Sequence, residues 1–138
     1  MEVKTIVNFI DDYEYEGINS SGNKVAIDMY PKEQKKAMSP TELLLTSTAS
    51  CAMVDIVLML KKRKKTIESF RAETVGNRRE EHPRSFIDIH INFIVVSPDV
   101  KDEEMRKVVD LSVDKYCSVA DTVKHGTKLT HGFEVRCP

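Results

Sequence analysis

The residues of this 138-residue chain best suited to chemistry are two cysteines, Cys51 in the run STASCAMVD and Cys117 in KYCSVAD. Each falls where a helix is expected to face a core, beside small or hydroxyl-bearing neighbours. In a reducing compartment, a cysteine pair is more often redox-active or metal-binding than a structural staple. The thiolate is the nucleophile and the ligand in such sites. Taken alone, a buried helical cysteine is commonly just a small hydrophobe. Cys51 lies three turns into its expected helix, beyond the reach of the helix dipole. A cation from elsewhere in the fold, or from a partner, is needed to favour its thiolate. Cys137, next to the last residue, reads as an exposed free thiol.

Two carboxylates stand near in sequence. Asp55 is four residues after Cys51 and shares its helix face. A carboxylate beside a thiol disfavours the thiolate unless a cation lies between them. Asp55 therefore reads first as a helix residue paired to a lysine or arginine across an interface. Glu42 reads first as a capping residue and second as a catalytic carboxylate. Neither C-x-x-C nor H-x-x-x-H spacing occurs, so no metal site is expected, and nothing calls for a cofactor.

The element that positions Cys51 is a helix over residues 39–62. Ser39, Pro40 and Glu42 form its start signal, a capping box with proline at the first helical position. Lys61, Lys62, Arg63, Lys64 and Lys65 place positive charge at its C-terminal end. Between these ends the helix is apolar or small nearly all round, which calls for burial on every side. It would be roughly 36 Å long, whereas a chain of this size has a radius of gyration of about 14 Å. The small run Ala49, Ser50, Cys51, Ala52 lets a second helix come close. We expect a central helix shared with a second subunit. A membrane span is disfavoured by Glu42, Asp55 and four hydroxyl residues.

Cys117 follows a second helix, from about Asp102, whose stripe is Met105, Val108, Val109, Val113 and Tyr116. Ser118 and Asp121 repeat the capping-box spacing and suggest a further short turn. The remaining segments read as strands. Residues 3–8 are rich in β-branched side chains. Residues 13–18 and 24–29 make a hairpin around Ser20-Ser21-Gly22-Asn23. Residues 31–38 read as a mobile loop, 66–75 as extended and 76–83 as a charged turn. Over residues 85–96, alternation places Ile87, Ile89, Ile91, Phe93 and Val95 on one face, with His90 on a solvated one. A last strand, 128–136, closes the sheet. Segregated strands and helices indicate α+β rather than a parallel α/β sheet.

The whole chain reads as one domain, 1–138. Basic and acidic residues number 21 and 22, for a formal charge of -1. That balance leaves no electrostatic footprint for nucleic acid. Residues 1–10 carry neither a basic leader nor a long apolar run, and three widely spaced cysteines make no secreted disulfide framework. A cytoplasmic protein is expected, with no membrane partner.

SPTELLLTSTASCAMVDIVLML resembles the central-helix signature of the OsmC/Ohr family, while KYCSVADTV followed by LTHGFEV is similar to its second-cysteine motif. The intervening NRREEHPRSFIDIHINFIVV resembles the OsmC-like branch lacking the usual peroxidase set. The resemblance implies an α+β OsmC-like fold in an intertwined homodimer, with long central helices and antiparallel sheet around them. It also implies thiol-dependent reduction of organic hydroperoxides in the oxidative stress response. Cys51 matches the peroxidatic cysteine, Cys117 the resolving one, and a dithiol reductant resets the pair. Two departures stand out. The family's peroxidases carry an activating arginine in the N-terminal strands, and here none precedes Arg63. They also carry a glutamate ten residues before the first cysteine; Thr41 holds that position, and Glu42 is one residue later. Arg78, Arg79 and Arg84, about the charged turn, are candidates to replace the arginine. The competing expectation is a non-enzymatic dimer that binds a small apolar ligand near the cysteines.

Overall fold

The N-terminal residues pair into an antiparallel meander, β1 (Thr5–Asp11), β2 (Glu14–Asn19) and β3 (Lys24–Asp28), in the computed structural model, which describes all of residues 1–138. At the β2–β3 turn, Gly22 takes φ 84°, as the turn cluster requires of a residue without Cβ. Asn19 holds that turn with its side chain, accepting the N–H of Ser21 at 3.0 Å and of Asn23 at 2.8 Å. β1 is exposed along its whole length, including Ile6, Val7, Phe9 and Ile10.

Residues 31–38, expected to be a mobile loop, are instead tethered to one buried carboxylate. A short 3₁₀ turn, Lys32–Gln34, begins the segment. Asp28, only 2% exposed, then accepts the backbone N–H groups of Lys36 and Ala37 on Oδ2, at 2.7 and 2.8 Å. Its Oδ1 pairs with Lys35 Nζ at 2.8 Å. The Lys35 hydrogen bond, with the two N–H groups behind it, holds the Asp28 carboxyl below its ordinary value of 3.8.

The long helix α1 (Pro40–Lys62) starts and stops where its sequence signals lie. Glu42 Oε1 accepts the Ser39 N–H at 2.9 Å, and Ser39 Oγ accepts the Glu42 N–H at 3.3 Å, completing the capping box. One stripe of α1, Thr48, Ala49, Ala52, Ile56 and Leu60, is buried. Val54 and Leu58, on other sides, are 59% and 61% exposed. A single copy thus covers one side of the helix, in keeping with the length argument above. By length and composition alone, α1 would also pass for a membrane span.

The chain divides into two compact units, Met1–Leu44 and Leu45–Pro138. In the second, β4 (Ser69–Arg78) pairs antiparallel with β5 (Phe86–Val96), and β5 pairs parallel with β6 (Lys128–Arg136). The expected last strand is thus present with its expected bounds. It closes a separate three-stranded sheet, and does so in parallel. That is allowed because α2 (Asp102–Leu111), a π-helical turn (Ser112–Tyr116) and α3 (Ser118–Lys124) carry the chain back between the two strands. Ile56 and Leu60 of α1, Ile89, Ile91, Phe93 and Val95 of β5, and Met105, Val108 and Val109 of α2 meet in one core. Each such side chain contributes about 1.5–3 kcal/mol when fully buried.

Two local corrections follow from this geometry. Ile87 is 56% exposed and Phe86 is buried, the reverse of simple alternation. The pairing passes from Asn77↔Asp88 to Arg78↔Phe86, so Ile87 is the extra residue of a β-bulge and the side-chain parity flips there. β4 also runs on through Gly76 into the segment read as a turn. A Cβ on Gly76 would lie 2.5 Å from the Phe86 ring, so glycine is what lets that ring lie flat on the strand.

Asp28→Ala should release residues 31–38. Limited trypsin digestion should then cut at Lys32, Lys35 and Lys36 well before the wild type is cut, and the Lys36 and Ala37 amides should lose exchange protection. Because the carboxyl is held below its ordinary value, the tether is present above pH 4 and is lost as pH falls through the lowered native value. Equal cleavage and protection in both proteins at pH 7 would refute the tether.

Candidate active site: a half-buried and a buried cysteine

α1 presents Cys51, half-buried, one position before the fully buried Ala52. Cys117 arrives from the other side of the second unit by a less regular route. α2 widens after Leu111 into the π-helical turn, closed by Cys117 N–H donating to the Ser112 carbonyl at 2.7 Å. The extra residue per turn ends the expected stripe early. Met105, Val108, Val109 and Val113 are buried, but Tyr116 is 52% exposed. Cys117 therefore lies on no helix face. It is the N-cap of α3, with extended backbone, and its Sγ accepts the Ala120 N–H at 3.3 Å. Ser118, expected to cap, is the first helical residue instead.

The two thiols are brought together. The two sulfurs are near enough to influence each other's charge, and Cys117, 1% exposed, points its Sγ at the Thr48 carbonyl at 3.9 Å. Burial pushes the Cys117 thiol up to about 11, the neighbouring Cys51 sulfur adds to this, and the Ala120 N–H opposes it. Cys117 is thus held as a neutral thiol near neutral pH. Ser112, fully buried, donates its hydroxyl to the Ala52 carbonyl at 2.8 Å. In the sequence Thr48 counts only as one of the hydroxyl residues that disfavour a membrane span, and nothing in the spacing marks Ser112, since its partners lie on other elements.

The other candidate residues are placed elsewhere. Glu42 is occupied as the α1 cap, which holds its carboxyl below the ordinary value chiefly through the Ser39 N–H. Asp55 is half-buried beside a surface hollow that it lines with Leu58, Met59, Lys62 and Tyr116. Arg78 Nε donates to the Arg84 carbonyl at 2.7 Å, Arg84 Nε to the Glu80 carbonyl at 3.2 Å, and Arg79 pairs with Glu81 at 4.0 Å. These arginines hold their own turn. His90 is exposed, as expected, and hydrogen-bonds Thr130 Oγ1 at 2.7 Å. Cys137 is an exposed free thiol.

Two further groupings were not apparent from spacing. Asp110, Asp114 and His131 gather their ligand atoms within 4.8 Å of one another on the surface, with His131 Nε2 2.8 Å from Asp110 Oδ1. Beside Cys51 in sequence, Ser50, Met53, Val54, Val57 and Leu58 line an apolar hollow of about 390 Å³ on α1. A larger hollow, about 540 Å³, is lined by residues of β1, β2 and their ends, and contains neither cysteine.

The OsmC-like protein family model matches residues 33–132, a range that takes in both cysteines. The chain belongs to the OsmC-like family. It is 34% identical to protein YhfA of Escherichia coli K12 over 129 residues, covering 94% of this chain and 95% of that one. Among solved structures, a hypothetical protein from Aquifex aeolicus VF5 is 29% identical, covers 100% of this chain and 98% of its own, and superposes with a TM-score of 0.88. The organic hydroperoxide resistance protein OhrB of Bacillus subtilis shares the fold at 12% identity and a TM-score of 0.65, over 97% of this chain and 98% of its own.

The raised Cys117 pKa sets an order of reactivity. With its pKa pushed well above that of a free thiol, Cys117 is overwhelmingly un-ionised at pH 8. Iodoacetamide should therefore label Cys137 and Cys51 of the reduced protein well before Cys117. Cys117 labelling should rise steeply as pH increases further into the alkaline range, while Cys137 labelling changes less. Peptide mass mapping reads this directly, and equal labelling of Cys117 and Cys137 at pH 8 would exclude the buried-thiol geometry.

Proposed function

We propose that this protein is a thiol-dependent reductase of organic hydroperoxides in oxidative stress defence, with Cys51 as nucleophile and Cys117 as resolving cysteine. What supports this reading is the placement of both cysteines in the second unit, Cys51 half-buried on α1 and Cys117 buried with its Sγ aimed at the Thr48 carbonyl one turn before Cys51. Membership of a family whose structural relatives include a hydroperoxide resistance protein supports it. Cys51, the more accessible thiol, attacks the terminal peroxide oxygen as a thiolate. The O–O bond breaks, the alkoxide leaves and takes up a proton as an alcohol, and Cys51 becomes a sulfenic acid. Cys117 then attacks that sulfur, water leaves, and the disulfide forms. An external dithiol restores both thiols by exchange and is itself oxidised to a disulfide.

In this reading the protein is a cytoplasmic single-domain chain working as an intertwined homodimer, in which a second copy covers the exposed apolar side of α1. Because Arg78 and Arg79 are engaged within their own turn, the cation that favours the Cys51 thiolate has to come from elsewhere in the fold or from that second copy. A non-enzymatic dimer binding a small apolar ligand is the second reading. It is favoured by the hollow along Met53, Val54 and Val57 and by the engagement of those arginines.

One equivalent of cumene hydroperoxide should consume two thiols per chain and leave Cys137 free. Cys117→Ser should stall at a sulfenic acid that over-oxidises with excess peroxide, and Cys51→Ser should lose peroxide consumption. If the wild type and Cys51→Ser consume peroxide at one slow rate, the enzymatic reading falls and the binding reading stands.

Light scattering at micromolar concentration should give twice the 15.7 kDa chain mass. Val54→Asp, which places a charge on the exposed apolar side of α1, should shift the protein toward monomer. A wild type that stays monomeric would end the dimer reading.

A further inference from the structure

Ser112 lies on neither cysteine's own helix, yet it bonds toward both. Its hydroxyl donates to the carbonyl of Ala52, the residue after Cys51, at 2.8 Å. Its own carbonyl accepts the N–H of Cys117 at 2.7 Å. One fully buried residue therefore links the backbones that carry the two thiols. The carbonyl of a mid-helix residue already takes the N–H four positions on, so the Ser112 hydroxyl donates to that carbonyl's second lone pair. The bond does nothing to build α1. What it secures is the position of the π-helical turn against α1.

That turn is the second observation. π-helical turns are rare and appear frequently at functional sites. Here the widening carries Tyr116 out to solvent and delivers Cys117, at the head of α3, to the Thr48 carbonyl and the Cys51 thiol. A disulfide needs Cα atoms within about 7 Å and a restricted torsion. Reaching that geometry repeatedly requires the turn to be held in one place while the thiols are still separate.

We propose that Ser112 is a positioning residue for the Cys51–Cys117 pair, holding the π-helical turn on α1 so that the two sulfurs stand ready to join before any oxidant arrives. The inference rests on reading the cysteines as a redox pair and concerns only how readily they bond. In the dithiol state nothing covalent joins the two segments, so the Ser112 bond supplies the restraint in advance. In the disulfide state the S–S bond supplies it. Losing the hydroxyl therefore frees the dithiol state and leaves the disulfide state almost unchanged.

The test is the equilibrium of the full chain, in a Cys137→Ser background, with mixtures of glutathione and its disulfide. Each cysteine gives up one proton and one electron as the S–S bond forms. Oxidised glutathione takes both and becomes two glutathione molecules. Ser112→Ala should shift the equilibrium constant roughly tenfold toward the dithiol, the weight of one buried hydrogen bond. Ser112→Thr, which keeps a hydroxyl, should restore it to within about twofold. Val108→Ala, a core truncation in α2, should lower the melting temperature without moving the equilibrium. No shift in Ser112→Ala, or an equal shift in Val108→Ala, overturns the inference. So does a wild type that forms no Cys51–Cys117 disulfide in excess oxidised glutathione. A wild type that forms the disulfide but consumes no cumene hydroperoxide overturns only the functional reading and leaves the positioning role standing.

Discussion

The second unit is built on a close approach to the backbone of α1. Ala49 and Ala52 are 5% and 0% exposed, and beside them carbonyls of the helix are reached from outside. The Ala52 carbonyl is met by Ser112 Oγ, and the Thr48 carbonyl by Cys117 Sγ. Large side chains in the stripe would hold the neighbouring turn away by their own width, and both contacts would be lost. Packing and site thus share one constraint, since the small residues that bring the π-helical turn close also bring the thiols together. Interiors packed at crystalline density leave little slack for such an arrangement to drift.

The other sides of α1 follow a different logic. A helix buried on one stripe usually carries polar residues opposite it, but α1 keeps Val54 and Leu58 there, and its mean composition is that of a membrane span. Its ends are polar in the manner of a water-facing helix. Ser39 and Glu42 cap one end, and Lys61 and Lys62 close the other. An element with capped ends and apolar sides is what a helix shared between two copies of a chain needs, which is why the proposed dimer and the sequence composition agree.

The long-range organisation was legible in the sequence where a strong local signal coincided with burial. The bounds of α1 and β6 and the turn glycine Gly22 belong to this group. What stayed hidden depends on departures from a regular period. The bulge at Ile87 flips a strand's parity, and the π-helical turn expels Tyr116 from a stripe it would otherwise continue. Neither leaves a compositional mark. Asp28 was passed over because a carboxylate at a strand end reads as solvated, whereas its partners are backbone N–H groups of a later loop. The parallel pairing of β6 was likewise invisible, since a strand's own alternation does not say which neighbour it will choose.

The division of labour between the two cysteines follows from burial. A thiol at the surface can ionise and meet a peroxide, but it is equally open to every other oxidant. A thiol held neutral by burial, as Cys117 is, attacks slowly until a reactive sulfur is placed against it. In the proposed reaction Cys51 sulfenic acid is that sulfur, formed at the position where Cys117 already points. The proton that Cys117 gives up goes out with the departing hydroxide as water, so the step requires no separate base. The same burial that makes Cys117 a poor first nucleophile shields it from solution oxidants, which suits the resolving role proposed for it.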